Sequence, residues 1–319
     1  MSERFDVITM GRVGVDLYPE QVGVALEDVG SFRKSLGGSA TNVAVAAARL
    51  GARSAVITKV GEDPFGNYVR RALDGFGVDR RWVGTDAELR TPLVFCEIHP
   101  PEHFPLLFYR EPKAPDLNIE PGELDLDAIR AARLLWTTGT GLAQEPSRGA
   151  TLLALESRQE TPDAITVHDL DHRPMLWPDD REAGRWARAA VGLATVAVGN
   201  EAEVAVAVGT RDPHEAAEAL LELGVELAIV KRGRAGVLAR TRDELIELEP
   251  LRLEVLNGLG AGDAFGGSLA HGLVNGWEPE RALRLANAAG ALVASRFACA
   301  DDMPTLAELK ELVGEEIEA

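Results

Sequence analysis

The chain has 319 residues, 46% of them hydrophobic, enough for one large α/β domain with a full core. Its 51 acidic and 33 basic residues leave a net charge of −18, which argues against a nucleic acid or an anionic membrane as partner. Two cysteines make no disulfide framework, the first residues lack the blocks of a signal peptide, and no apolar run nears membrane-spanning length, so a cytoplasmic protein is expected.

In chain order, residues 5–10 read as a first buried strand ending at Gly11. Gly11 and Gly14 do not make a G-x-G-x-x-G fingerprint, which disfavours a dinucleotide-binding start. Asp16 follows just past the strand end, where open α/β sheets place ligands; a simple turn aspartate fits the same position. Residues 17–36 carry alternating apolar pieces that suit a small β flap. Gly37-Gly38 then opens a helix over 39–50, with Ser39 as its expected cap. The paired glycines let a ligand approach the backbone, and Asn42 can both donate to and accept from a polyol.

Strands are expected over 54–60, 91–98 and 106–109, with a structural turn at 61–66 leading into a helix over 67–75. Segments 12–36 and 91–112 together would make a small β-sheet lid able to exclude water from a site. Arg110 closes the last of these strands, as a solvated edge residue or as a clamp for an anionic ligand. Further strands are expected over 134–138, 164–167, 196–198 and 227–230. The second runs into His168-Asp169-Leu170-Asp171-His172-Arg173-Pro174, which reads as a salt-bridged loop or as a polar site floor with Arg173 facing an anion. The histidine spacing there is no clear metal signature. The third closes with Asn200 and Glu203, spaced as a capping asparagine and a helix-opening glutamate.

The strand over 227–230 runs into Lys231-Arg232-Gly233-Arg234-Ala235-Gly236, which reads as a nucleotide-contacting turn, although the chain has no Walker A loop. A strand-like run at Leu251, Leu253 and Val255 leads to Gly260-Ala261-Gly262-Asp263 and a helix over 263–276. Strand, glycine turn and helix start aim free backbone N–H groups at one point, a nest for phosphate. A carboxylate beside it, Asp263, could take a proton from an attacking hydroxyl; an ordinary glycine turn with an aspartate cap fits the same residues. Two helices follow, over 279–294 and 306–313. In the first, Asn287 lies among small residues that leave room for a flat base or for helix packing.

Gly37-Gly38 with Asn42 near the amino terminus, and Gly260 to Asp263 near the carboxyl terminus, resemble the two signatures of the ribokinase-like (PfkB) carbohydrate kinases. The resemblance covers essentially the whole chain. It implies one α/β domain over 1–319, with a mostly parallel sheet flanked by helices on both faces and a small β-sheet lid. It implies transfer of phosphate from ATP to a sugar hydroxyl, with Asp263 as base and residues Gly260, Ala261 and Gly262 as the anion hole. Asp16, Gly37, Gly38 and Asn42 would hold the sugar, and Asn200, Lys231, Gly233, Gly236 and Asn287 the nucleotide. Glu203 completes an Asn-x-x-Glu motif whose acid acts on Mg²⁺ through water. Pairing through the lid would make a homodimer. Many members carry an aspartate at a monovalent-cation site six residues before the base; here Asn257 stands there, which leaves that cation open.

Within the family, the run 169–177, the run 256–263 and residues 295–305 imply a keto-deoxy sugar acid as acceptor. The resemblance implies 5-dehydro-2-deoxygluconate, phosphorylated on its 6-hydroxyl, as that acceptor, with Arg110 and Arg173 expected on its carboxylate; 2-keto-3-deoxygluconate or the sugar of another PfkB kinase is the alternative. A non-catalytic sugar or nucleotide sensor on the same fold is disfavoured by the retained Asp263, and a dehydrogenase by the missing glycine fingerprint.

Overall fold

Two sheets organise the molecule. The computed structural model describes residues 4–161 and 163–314, and among these residues there are thirteen strands and ten α-helices. The strands are β1 (Val7–Met10), β2 (Gly14–Pro19), β3 (Phe32–Gly37), β4 (Ser54–Gly61), β5 (Val83–Asp86), β6 (Leu93–Cys96), β7 (Leu106–Tyr109), β8 (Leu134–Thr138), β9 (Ile165–Asp169), β10 (Val196–Asn200), β11 (Leu227–Lys231), β12 (Val237–Arg240) and β13 (Leu245–Leu248). The helices are α1 (Ser39–Arg49), α2 (Pro64–Phe76), α3 (Leu126–Ala131), α4 (Ser147–Glu156), α5 (Asp180–Val191), α6 (Glu201–Val208), α7 (Pro213–Glu222), α8 (Ala261–Val274), α9 (Pro279–Ala294) and α10 (Leu306–Val313).

The main sheet has nine strands in the order β13-β12-β11-β10-β9-β8-β1-β4-β5. Its pairings are parallel from β11 across to β5, and antiparallel at β11–β12 and β12–β13. Side chains alternate between the faces, as the pleat demands. Val7, Trp136, Val167, Val198 and Ile229 pack with Phe265 and Leu269 of α8, Leu283 of α9 and Val43 of α1. On the other face Ile8, Ile57 and Leu135 meet α3 and α4, while Ala197, Ala228 and Val230 meet α5, α6 and α7. Burial on both faces is why these strands read as continuous apolar runs.

The second sheet has four strands in the order β3-β2-β6-β7. Asp16 and Tyr18 project from one face of β2, and Leu17 from the other, in register with Phe95 and Leu107. Leu107 and Tyr109 on that outer face are exposed.

Two local expectations fail. Residues 251–255 form no strand; beyond them the backbone N–H groups of Leu256 and Asn257 donate to Ala294 O at the end of α9 instead of to a ladder. Ser39 does not cap α1, because Gly38 is the N-cap and the Ser39 hydroxyl is drawn to Asp171 instead.

Candidate active site

The start of α8 lies beside the start of α1, and glycine makes both approaches possible. Gly260 caps α8 with φ 82°, and a Cβ there would run into Cys299. Gly38 caps α1 with φ 103°, pressed on the Arg12 carbonyl. Asp263, in the first turn of α8, thereby meets Asn42, whose Nδ2 donates to Asp263 Oδ2 at 2.8 Å. The Cys299 thiol lies 3.8 Å from the same oxygen. Burial raises the Asp263 pKa above the usual carboxylate value, against the opposing pull of Asn42 and Arg12. A carboxylate made more basic at a helix start is suited to accept a proton. Lys231, at the end of β11, brings its ammonium 3.5 Å from where a Gly262 Cβ would stand, so a cation lies over the 260–262 turn.

Asp171 ties the floor together. Its Oδ2 accepts from Arg12 Nε (3.3 Å), Ser39 Oγ (2.9 Å) and Thr140 Oγ1 (3.1 Å), and its Oδ1 pairs with Arg173 Nη2 at 2.9 Å. Burial works to raise its pKa, but Arg12, Arg173 and the Ser39 hydroxyl overcome this and hold it below the usual carboxylate range. Arg173 also approaches Glu203 Oε1 at 3.8 Å and leaves its buried Nε without a partner. Asp169 behaves in the opposite way: burial lifts its pKa to about 7 despite the attraction of Lys231, whose Nζ lies 4.0 Å from Oδ1. On Lys231 the desolvation cost is outweighed by Asp169, Glu203, Asp263 and Asp171, which raise its pKa and keep it charged.

Asp16 enters the crevice from β2. Its carboxylate occupies the space that a side chain at Gly37 would fill, and it accepts from the Tyr18 hydroxyl at 3.3 Å. Burial lifts its pKa to about 6 despite the attraction of Arg12.

Asn200 and Glu203 form the capping box of α6: Asn200 Oδ1 accepts from the backbone N–H groups of Ala202 and Glu203, and Glu203 Oε2 accepts from the Asn200 N–H at 2.8 Å. The second oxygen of Glu203 faces Arg173, so the same residue closes the site floor. Gly233 and Gly236 shape the turn between β11 and β12 directly beyond Lys231, where buried Arg232 Nε has no partner. Asn287 Nδ2 donates to Glu249 O at 2.8 Å. Arg110 is buried and committed: its Nη2 pairs with Asp116 Oδ1 at 2.5 Å and its Nη1 reaches Val13 O at 3.4 Å. Asn257 is fully buried between backbone groups, donating to Phe297 O at 2.8 Å and accepting from the Leu259 N–H at 3.0 Å.

Arg12 and Thr140 were not among the expected residues, and Asp169 and Asp171 were expected only as part of a salt-bridged loop or polar floor, with no role of their own. The available signal was an arginine and two aspartates standing immediately past apolar strand runs. The arrangement places Lys231 over a glycine turn at a helix start, while Arg12 and Arg173 share the carboxylate of Asp171 on the site floor. The lysine over the turn, with unpartnered buried donors at Arg173 and Arg232, suits the phosphates of a nucleoside triphosphate, and Glu203 and Asp169 would offer oxygen donors to a hard cation there.

Residues 4–306 match the pfkB family of carbohydrate kinases. This chain is a pfkB-family carbohydrate kinase. The kinase is 36% identical over 307 residues to a 5-dehydro-2-deoxygluconokinase of Photobacterium profundum, covering 94% of this chain and 92% of that one. Among solved structures it is similar to a fructokinase double mutant of Vibrio cholerae O395 with fructose, ADP and potassium ion bound (27% identity, TM-score 0.85, 98% of this chain and 99% of that one). It is similar also to a Pyrococcus horikoshii sugar kinase in complex with ATP (25% identity, TM-score 0.81, 98% and 99%).

Proposed function

We propose that the kinase transfers the terminal phosphoryl group of ATP to the 6-hydroxyl of 5-dehydro-2-deoxygluconate. The observation that carries this reading is Asp263 at the start of α8, fixed by Asn42 beside a turn that Lys231 overhangs. Asp263 takes the hydroxyl proton, and the N–H groups of residues 260–262 receive the charge of the moving phosphoryl group. Lys231, the 233–236 turn, Asn200 and Asn287 hold the nucleotide. Glu203 would hold the Mg²⁺ of the nucleotide through water, an ion that would supply neutralisation of phosphate charge. Asp16, Gly37, Gly38 and Asn42 hold the acceptor, with Arg173 on its acidic side; Arg110, expected there too, is committed to Asp116 and Val13 O instead. The substrate name comes from the relatives. It agrees with a site floor on which two arginines, Arg12 and Arg173, share the one carboxylate of Asp171, more cation than a neutral sugar needs.

The four-stranded sheet serves as lid, and its exposed outer face around Leu107 and Tyr109 pairs two copies. Asn257 already donates to Phe297 O, the kind of carbonyl that a bound cation would otherwise satisfy, so turnover is independent of potassium. Rates in sodium, potassium and tetramethylammonium salts should agree within about twofold, well inside the margin that loss of a bound ion would cost; a tenfold potassium stimulation would contradict this. The reading as a whole is tested by phosphorus NMR of the product. A phosphorus coupled to two methylene protons is expected for the 6-phosphate, and hydrolysis of ATP to free phosphate with no sugar ester would reject it.

A further inference from the structure

We propose that Arg12 is the specificity residue that receives the carboxylate of the acceptor. This deepens the sugar-acid reading and rests on it. Arg12 lies between β1 and β2 and turns back over the site floor, where its Nε donates to Asp171 Oδ2 at 3.3 Å. That is the only hydrogen bond of its side chain among the described residues, so neither Nη nitrogen has a partner there. The side chain is nonetheless only 11% exposed. A guanidinium anchored at Nε presents its two Nη groups as a planar fork, the geometry that pairs bidentately with a carboxylate.

The other two arginines of the crevice are more fully committed. Arg110 spends both Nη groups, on Asp116 and on Val13 O, and Asp116 is itself tied back to the Val13 N–H at 2.9 Å. Arg173 divides its Nη groups between Asp171, Glu203 and the His172 carbonyl. Arg12 and Arg173 thus share the single carboxylate of Asp171, and the surplus positive charge lies on the residue whose fork is open. Arg12 also lies within electrostatic reach of Asp16 and Asp263. Those two acids face hydroxyls in the proposed reaction, so the fork of Arg12 is left for the acceptor's acid group.

The test is steady-state kinetics of wild type, Arg12→Gln and Arg12→Lys with 5-dehydro-2-deoxygluconate and with fructose as a neutral acceptor. ADP affinity, measured by calorimetry, reports whether each variant keeps its nucleotide half folded. Arg12→Gln should lower kcat/KM for the sugar acid about 100-fold, mostly through KM, the scale of a lost charge-assisted pair. The loss for fructose should be about tenfold smaller or less. Arg12→Lys, which keeps the charge without the fork, should fall between. Equal losses for acid and neutral acceptor in both variants, with ADP affinity intact, would overturn the assignment of Arg12 alone. A wild-type enzyme with no preference for the acid would overturn the sugar-acid reading and this proposal together. If Arg12→Gln does not bind ADP, the Arg12→Lys ratio decides: an undiminished acid preference rejects the role.

Discussion

Both ends of the main sheet carry charged clusters, and they differ in kind. At the amino ends of β4 and β5 lies a cleft of about 650 Å³ lined by Arg53, Arg70, Arg80 and Arg81 with Asp74 and Asp79. Its ion pairs are surface pairs: Arg80 with Asp74 and Arg81 with Asp79, all well exposed or half-buried. At the carboxyl ends of β9, β10 and β11 the charges are buried and unequal. Asp171 is pulled below and Asp169 pushed above the ordinary carboxylate range, although a single residue separates them. At the amino end the charges are paired at the surface; at the carboxyl end they are buried. What marks a site is charge held away from water without full compensation, because only such groups have their proton affinity reset by several kcal/mol of environment.

Substitutions at the two ends sharpen or break this contrast. The largest effect is expected at Asp263→Asn, which should lower kcat roughly 10³-fold while ADP affinity stays nearly unchanged. Single-turnover kinetics and calorimetry check it, and a kcat within tenfold of wild type would remove the base from the account.

A smaller effect, of opposite sign for stability, is expected at Asp16. Its folded pKa of about 6 lies above the ordinary value near 3.8, so the native state binds the proton more tightly than the unfolded chain. Stability therefore falls as pH rises from about 4 to about 6, and the full cost persists above that. Asp16→Asn should raise the unfolding free energy by on the order of 2 kcal/mol at pH 8 and by almost nothing at pH 4, while weakening acceptor binding. Urea melts at the two pH values measure it; a gain that is larger at pH 4 would contradict the burial argument.

The smallest effect is expected at the other end. Arg80→Ala should cost about 0.5 kcal/mol or less in stability and leave kcat/KM within about twofold, as for an exposed ion pair. A tenfold loss of activity would show that the amino-end cleft takes part.

How much of this was legible follows the same physics. Both-face burial made β1, β4, β8, β10 and β11 readable as apolar runs. The reading stopped short where it mattered most: β9, β10 and β11 continue to Asp169, Asn200 and Lys231, whose backbones stay in the ladder while their side chains turn polar. A hydrophobicity argument ends a strand where the site begins. Asp263, Asn42, Lys231 and Glu203 were nameable because each stands in a local motif. Arg12 was not, since its partner Asp171 is 159 positions away and no local pattern announces the pair. The run 251–255 erred the other way, alternating like a strand while the chain beyond it bonds to the end of α9.

The central claim, phosphoryl transfer to a keto-deoxy sugar acid, is tested most directly by ADP release with Mg-ATP. The panel is 5-dehydro-2-deoxygluconate, 2-keto-3-deoxygluconate, ribose, fructose and no sugar. The account predicts the highest kcat/KM for the first, and only background release without sugar. Preference for ribose or fructose, or release that ignores the sugar altogether, would contradict it.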